Sequence, residues 1–350
     1  MAALTRSRSV PTNVPNEHMI EHYVQRTRGG AGLIISEAIL VSQQGTEWQN
    51  APGIWNAEQV AAWKKVVDAV HAEGGAIYAQ LWHTGRVAHP DAPEQKLAGI
   101  PVYAPSAKAA AGGKFRFIEG VPGYVTPTEV EDPSTLVALF KRGAIHAKEA
   151  GFDGIEIHGA NGYLVHQFLD STSNLRTDSW GGSIPNRARF PLEVLKEVVE
   201  IFGPNRVGYK VSPGGGYNDM GMPLQETIDT FSYFITESQK LPLAYICLTN
   251  YLPGFDATSR GTPHDVVATY RPLITSTLFF LNGGLAPEEA ARLIDAGTID
   301  AAQFGWLWIG HPDLAKRIEH GKALDAVVDF KTLYGPDLKG YNDYPEATYA

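Results

Sequence analysis

The sequence predicts an α/β protein of the (β/α)8, or TIM, barrel class. Near-continuous apolar runs alternate with helix-period segments over most of its 350 residues, as in a parallel sheet covered on both faces. A hydrophobic content of 44% at this length supports one large core, and barrels of this kind reach such lengths as a single domain. An open doubly wound sheet would carry a Gly-rich dinucleotide turn after its first strand, and "GLIISEAIL" is followed by none.

Each element can be justified in turn. "GLIISEA" (32–38) reads as a strand, and the helix "NAEQVAAWKKVVDAVHAEGG" follows, with Asn56 placed to cap it and Gly74-Gly75 to stop it. "AIYAQLW" (76–82) is the next strand. A Gly/Pro-rich excursion over about 86–128 comes after it, and then the helix "DPSTLVALFKRGAIHAKEAG". Strands are expected at 154–158, 207–213, 244–249, 278–284 and 301–305, with helices between them such as 192–202 and 287–296. That makes seven strands, one fewer than a closed barrel needs. No linker composition divides the chain, so 1–350 is expected to be one domain. The excursion follows a strand, on the face where barrels build their sites, and is expected to form a small hairpin lid.

Composition removes several function classes. Lys plus Arg (29) against Asp plus Glu (38) gives a net charge of −9 with no basic block, which argues against a nucleic-acid or anionic-membrane surface. The longest apolar runs are too short to span a bilayer and no signal peptide opens the chain, so a cytoplasmic protein is expected. Cys247 is the only cysteine, which excludes a disulfide framework, a thiolate zinc site and a cysteine-ligated iron–sulfur cluster within one chain. His83, His89, His158 and His166 lack a His-x-His pair or a carboxylate at ligand spacing, so no metal is expected. No Gly-x-Ser-x-Gly elbow marks a serine hydrolase.

What remains gathers at strand ends: Ala38, Gln80, Trp82, the run His158 to Tyr163, Lys210, Gly283-Gly284 and Gly305. In a barrel these ends converge on one mouth. The late glycines suit a phosphate site, where small residues let backbone N–H groups close on an anion. His158, Asn161 and Tyr163, with Gly159 and Gly162 among them, place three polar tips together. The glycines are expected to leave room for whatever those tips receive.

The stretch "FDGIEIHGANGYLVHQFLDSTSNLRTDSWGGSIPNRARF" (152–190) resembles the Old Yellow Enzyme family of FMN-dependent ene-reductases. The likeness runs from "LTRSR" through "GLIISEA", "APGIW", "AQLWHTGR", "NGG" and "HPDL" to "GYNDYP", essentially the whole chain. It implies a bound FMN, NADPH or NADH as reductant, and an enone or nitroalkene substrate whose activated C=C bond is reduced. Thr5 would touch the flavin O4 side and Gln80 its pyrimidine edge, with Ala38 and Lys210 beside the ring. Gly283, Gly284, Gly305 and Trp306 would lie at the phosphate. His158 and Asn161 would clamp the substrate oxygen on which charge develops, and Tyr163 would donate the proton. Trp82 and Tyr334 would wall the substrate pocket.

The chain departs from the family pattern at three places. Lys210 stands where many relatives have arginine, keeping the charge but losing the bidentate fork. Trp306 stands where many have arginine beside the phosphate. The hairpin and most of the first barrel strand that relatives carry before "LTR" are expected to be missing. A flavin-dependent isomerase or oxidase of a biosynthetic intermediate, or a flavin-poor ligand-binding barrel, is the alternative reading. A monomer or homodimer fits either.

Overall fold

Parallel pairing runs strand to strand around a curled sheet in the computed structural model, which describes residues 1–46, 48–112 and 123–349. The strands are β1 (Ile34–Ile35), β2 (Ile39–Leu40), β3 (Ile77–Trp82), β4 (Tyr103–Ala104), β5 (Thr128–Glu129), β6 (Gly154–Gly159), β7 (Val207–Val211), β8 (Tyr245–Thr249), β9 (Leu278–Asn282) and β10 (Ala301–Gln303). The order is β1–β3–β6–β7–β8–β9–β10, with β2 also paired to β3. The position that the strand count left open is taken by the opening residues. Met1 N donates to Leu33 O at 2.7 Å, Ile35 N donates to Met1 O at 2.9 Å, and Ala2 N donates to Phe304 O at 2.8 Å. Three backbone bonds thus join the two ends of the sheet, through a segment too short to be read as a strand.

The expected strand 32–38 is split. Ile35 pairs with Tyr78 and Ile39 with Leu81, so residues 36–38 face only 79–80. One extra residue makes a bulge, which re-aims side chains at a sheet end. Its cause is visible at Glu37, whose N–H goes to the Tyr23 hydroxyl at 2.8 Å rather than to the ladder, while its carboxylate accepts Arg6 N at 3.2 Å.

The helices pack outside the sheet. Helix Ala57–Ala72 begins with a capping box, Asn56 Oδ1 accepting Gln59 N at 2.9 Å and Gln59 Oε1 accepting Asn56 N at 3.3 Å. Helix Ser134–Glu149 matches its expected span. The helix expected from 192 instead starts at Ile184 and runs to Phe202 through Pro191. An internal proline costs about 3 kcal/mol of helix propensity. Tertiary bonds override it here: Arg187, four residues earlier, donates to Leu169 O at 2.8 Å and pairs with Glu226 at 3.0 Å. Among the described residues no helix is long and apolar enough to cross a membrane.

The strands hide an alternation. Ile155, Ile157, Val207, Tyr209, Ile246 and Leu248 belong to the main apolar core. Their neighbours Glu156, Lys210 and Gln303 are buried polar residues outside that cluster. Successive side chains of a strand point to opposite faces; the polar set therefore fills the barrel interior. Around the excursion, β4 and β5 pair in parallel, with Tyr103 opposite Thr128. The hairpin lid expected there includes residues 113–122, which lie outside the described residues.

Candidate active site

The strand ends open into a cleft. Thr5, Ala38, Gln80, Trp82, His158, Asn161, Tyr163, Lys210 and Tyr334 all line it. Sequence reasoning missed Trp48, Ser212, Tyr217, Thr249, Asn250, Phe255 and Asn282, which share the wall. Ser212, Thr249, Asn250 and Asn282 follow or end strands, so the rule that found Lys210 could have found them too. Trp48, Tyr217 and Phe255 come from loops, where no periodicity points inward.

The floor is a hydrogen-bonded set around Glu156, which is fully buried. Its Oε1 accepts Gln80 Nε2 at 2.7 Å, and its Oε2 accepts the Tyr245 hydroxyl at 2.8 Å and Gln303 Nε2 at 2.9 Å. A carboxylate only accepts, so this fixes the Gln80 amide with nitrogen inward and leaves Oε1 as an acceptor beside the cleft. Lys210 Nζ donates to Gln303 Oε1 at 3.4 Å. Among the described residues no carboxylate lies within ion-pair distance of Lys210.

His158 is neutral. Burial, reinforced by the charge of Lys210 and by His166, lowers its pKa from 6.5 to about 3. Its Nδ1 accepts the Ala160 N–H at 3.4 Å, so the ring proton sits on Nε2. A neutral imidazole with that tautomer is a hydrogen-bond donor. Tyr163 stands edge-on to His158, centroids 5.1 Å apart at 71°, and edge-on to Trp82 at 4.9 Å and 82°. Asn161 has φ 58°, a left-handed conformation that asparagine tolerates better than most residues, and its N–H is held by Ser212 Oγ at 2.8 Å. Tyr334 packs on Trp48 with centroids 4.4 Å apart.

The two glycines do not leave space for a ligand. A Cβ at Gly159 would lie 2.2 Å from the Tyr209 hydroxyl, and one at Gly162 would lie 2.7 Å from Met220 Cγ and from Tyr217 O. The protein's own packing requires them, because Gly159 is pressed against Tyr209 of β7 and Gly162 against the loop after β7.

Gly283, Gly284, Gly305 and Trp306 stand just beyond the lining residues, at the ends of β9 and β10. Gly283 and Gly284 take φ 98° and 72°, and a Cβ on Gly283 would meet Asn250 N at 3.1 Å. Trp306 is 41% exposed and packs on Phe330, centroids 4.8 Å apart. Among the described residues no group of three His, Cys, Asp or Glu side chains is placed to hold a metal ion.

A flavin fits this wall. Gln80 offers an acceptor and Lys210 a cation at one end of the cleft, complementary to an imide N–H flanked by carbonyls that gain negative charge. The Thr249 hydroxyl and Trp82 Nε1 are buried with no partner among the described residues. Buried polar groups of this kind are ordinarily satisfied.

Known proteins resemble this chain in sequence and fold. A family model of the NADH:flavin oxidoreductase / NADH oxidase family matches residues 1–325. The chain is 39% identical to the NADP-dependent oxidoreductase lnbE of Aspergillus flavus, over 99% of this chain and 91% of that protein. It superposes on morphinone reductase with a TM-score of 0.89 and 38% identity, covering 99% of this chain and 91% of that one. The old yellow enzyme homologue of Zymomonas mobilis gives 0.89 and 35%, covering 99% and 94%.

Proposed function

Since the chain belongs to the NADH:flavin oxidoreductase / NADH oxidase family, the Old Yellow Enzyme family of FMN-dependent oxidoreductases, we propose that it reduces the activated C=C bond of α,β-unsaturated carbonyl or nitro compounds with NADPH or NADH. The observation that carries this reading is the shared wall: the neutral His158 donor, Asn161 and Tyr163 face the same cleft as Gln80 and Lys210. FMN, when bound, would supply the hydride chemistry that links NADPH or NADH to the alkene.

The chain's own residues do the rest. Gln80 Oε1 would accept from the ring imide, Lys210 would supply charge beside a carbonyl, and Thr5 and Ala38 would border the ring. The backbone at Gly283, Gly284, Gly305 and Trp306 would hold the phosphate. His158 Nε2–H and Asn161 donate to the carbonyl or nitro oxygen, where negative charge gathers as the alkene is reduced. Tyr163 gives its hydroxyl proton to the α-carbon, completing addition of one hydride and one proton. Trp82 and Tyr334 hold the apolar body of the substrate. The enzyme is read as a cytoplasmic monomer or homodimer.

The test is anaerobic. The purified protein carries a yellow cofactor near one per chain, NADPH bleaches it, and 2-cyclohexenone restores the colour with one cyclohexanone formed per cofactor. A colourless protein, or bleaching that the enone does not reverse, would overturn the reading.

A further inference from the structure

Asn161 is gripped at both its backbone N–H and its carbonyl by the loop after β7. Ser212 Oγ accepts its N–H at 2.8 Å, and Asn218 Nδ2 donates to its carbonyl at 2.9 Å. The other end of the same amide, Asn218 Oδ1, accepts the Tyr124 hydroxyl at 3.1 Å. Tyr124 belongs to the excursion, so one side chain bridges the excursion and the left-handed residue that faces the cleft.

The bridge is itself fixed. Asn218 and Asp219 have φ 55° and 61°, and their carbonyls accept Arg86 Nη2 at 3.3 and 2.9 Å. Asp219 is 3% exposed, accepts Ala111 N at 2.8 Å and faces Arg260 at 3.4 Å. A Cβ on Gly162 would stand 2.8 Å from Asn218 Cβ, so no slack separates the two loops.

We propose that Asn218 is a positioning residue for Asn161: its amide holds the Asn161 peptide in the left-handed conformation that aims the Asn161 side chain at the substrate oxygen, and ties that peptide to Tyr124. This rests on the clamp role assigned to Asn161 above. A left-handed φ is disfavoured for any residue but glycine and survives where neighbours over-determine it. With the donor removed, the Asn161 backbone keeps only the Ser212 anchor on its N–H, and the clamp loses its aim.

The oxidised holoenzyme, which cannot reduce an enone without NADPH, is titrated with 2-cyclohexenone and followed through the flavin absorbance. Asn161→Ala is expected to weaken binding tenfold or more. Asn218→Ala is expected to weaken it by about tenfold, the scale of one lost hydrogen bond and its geometry. Asn218→Asp keeps the acceptor for Tyr124 but loses the donor, and should match it; this variant carries the prediction if Asn218→Ala folds poorly. Tyr124→Phe should lose only about two- to threefold. FMN occupancy should stay at the wild-type level throughout. The decisive readout is the double variant: Asn218→Ala with Asn161→Ala should bind no worse than Asn161→Ala alone. Wild-type binding in Asn218→Ala and Asn218→Asp, or losses that multiply in the double variant, would overturn the positioning role. Wild-type binding in Asn161→Ala would instead remove the clamp, and the inference with it.

Discussion

Lys210 Nζ stands 3.4 Å from Gln303 Oε1, and the same Gln303 turns its nitrogen to Glu156 at 2.9 Å. The cation is oriented by an amide rather than neutralised by a carboxylate, so its charge remains directed at the cleft. Lys210→Met should weaken FMN by about 1.5–3 kcal/mol, the worth of a charge-assisted bond. It should also lower the two-electron potential by about 30–60 mV, since about 30 mV corresponds to 1.4 kcal/mol. Lys210→Arg should retain most of both. Dye-equilibrated potentiometry and flavin-release titration check this; an unchanged potential in Lys210→Met would mean that the ammonium does not face the ring.

Trp306, proposed to lie at the phosphate, packs on Phe330 with ring centroids 4.8 Å apart. Trp306→Arg should tighten FMN by about 1.5–3 kcal/mol through a charge-assisted phosphate contact. Riboflavin, which has no phosphate, should gain less. Equal gains for both flavins would place the side chain out of the phosphate's reach.

The depressed pKa of His158, about 3, makes stability pH-dependent. Between pH 6.5 and 3 the unfolded chain binds a proton there that the folded chain refuses. The contribution of the neutral ring is therefore complete above 6.5 and lost as pH falls toward 3. The slope from this one group reaches about 1.4 kcal/mol per pH unit. His158→Gln should flatten the decline by that share, measured as urea midpoints at pH 7, 6 and 5. A decline equal to wild type would show that the folded state accepts the proton.

Arg6, 1% exposed, carries a structural load that motif reading did not assign to it. It donates to Leu333 O at 3.1 Å and Gly340 O at 2.5 Å, and lies over the Tyr341 ring at 5.2 Å. This latch ties the segment holding Thr5 to the segment holding Tyr334. Arg6→Met strips the buried Gly340 carbonyl of its side-chain donor and leaves Leu333 O with Arg8 Nη1 alone, at 3.3 Å, and should cost about 1–3 kcal/mol of stability. It should also raise KM for enones more than it lowers kcat, because Tyr334 loses its anchor. A melting temperature equal to wild type would discount the latch.

The strand ends were legible because the barrel rule converts a position along a strand into a position at the mouth, and it gathered Gln80, His158 and Lys210 without any contact being known. The interior was not legible. Glu156 sits within "GIEIH" as a lone polar residue among apolar ones, and only the sheet register brings Gln80, Tyr245 and Gln303 to its oxygens. The glycines beside His158 pointed to small size but not to its reason, because Tyr209 and Met220 reach them from a neighbouring strand and from a loop distant in sequence. The start of helix 184–202 was hidden by Pro191, whose local cost is offset by bonds of Arg187 to residues far along the chain. The closing segment, Met1 to Ala3, has no strand signature and is recognised only by whose carbonyls it meets.

Tyr163, the proposed proton donor, has its ring held edge-on between Trp82 and His158. Tyr163→Phe keeps the ring and its packing and removes one proton. Stopped-flow traces of the two half-reactions separate the consequences. Reduction of the bound flavin by NADPH needs no proton at the alkene and should change little. Reoxidation by 2-cyclohexenone should slow by about 10²–10⁴-fold, the range for a positioned general acid. A nitroalkene, whose reduced nitronate persists in water, should be affected less. An unchanged rate of reoxidation by 2-cyclohexenone, or equal losses in both half-reactions, would contradict the assignment of Tyr163 as the proton donor.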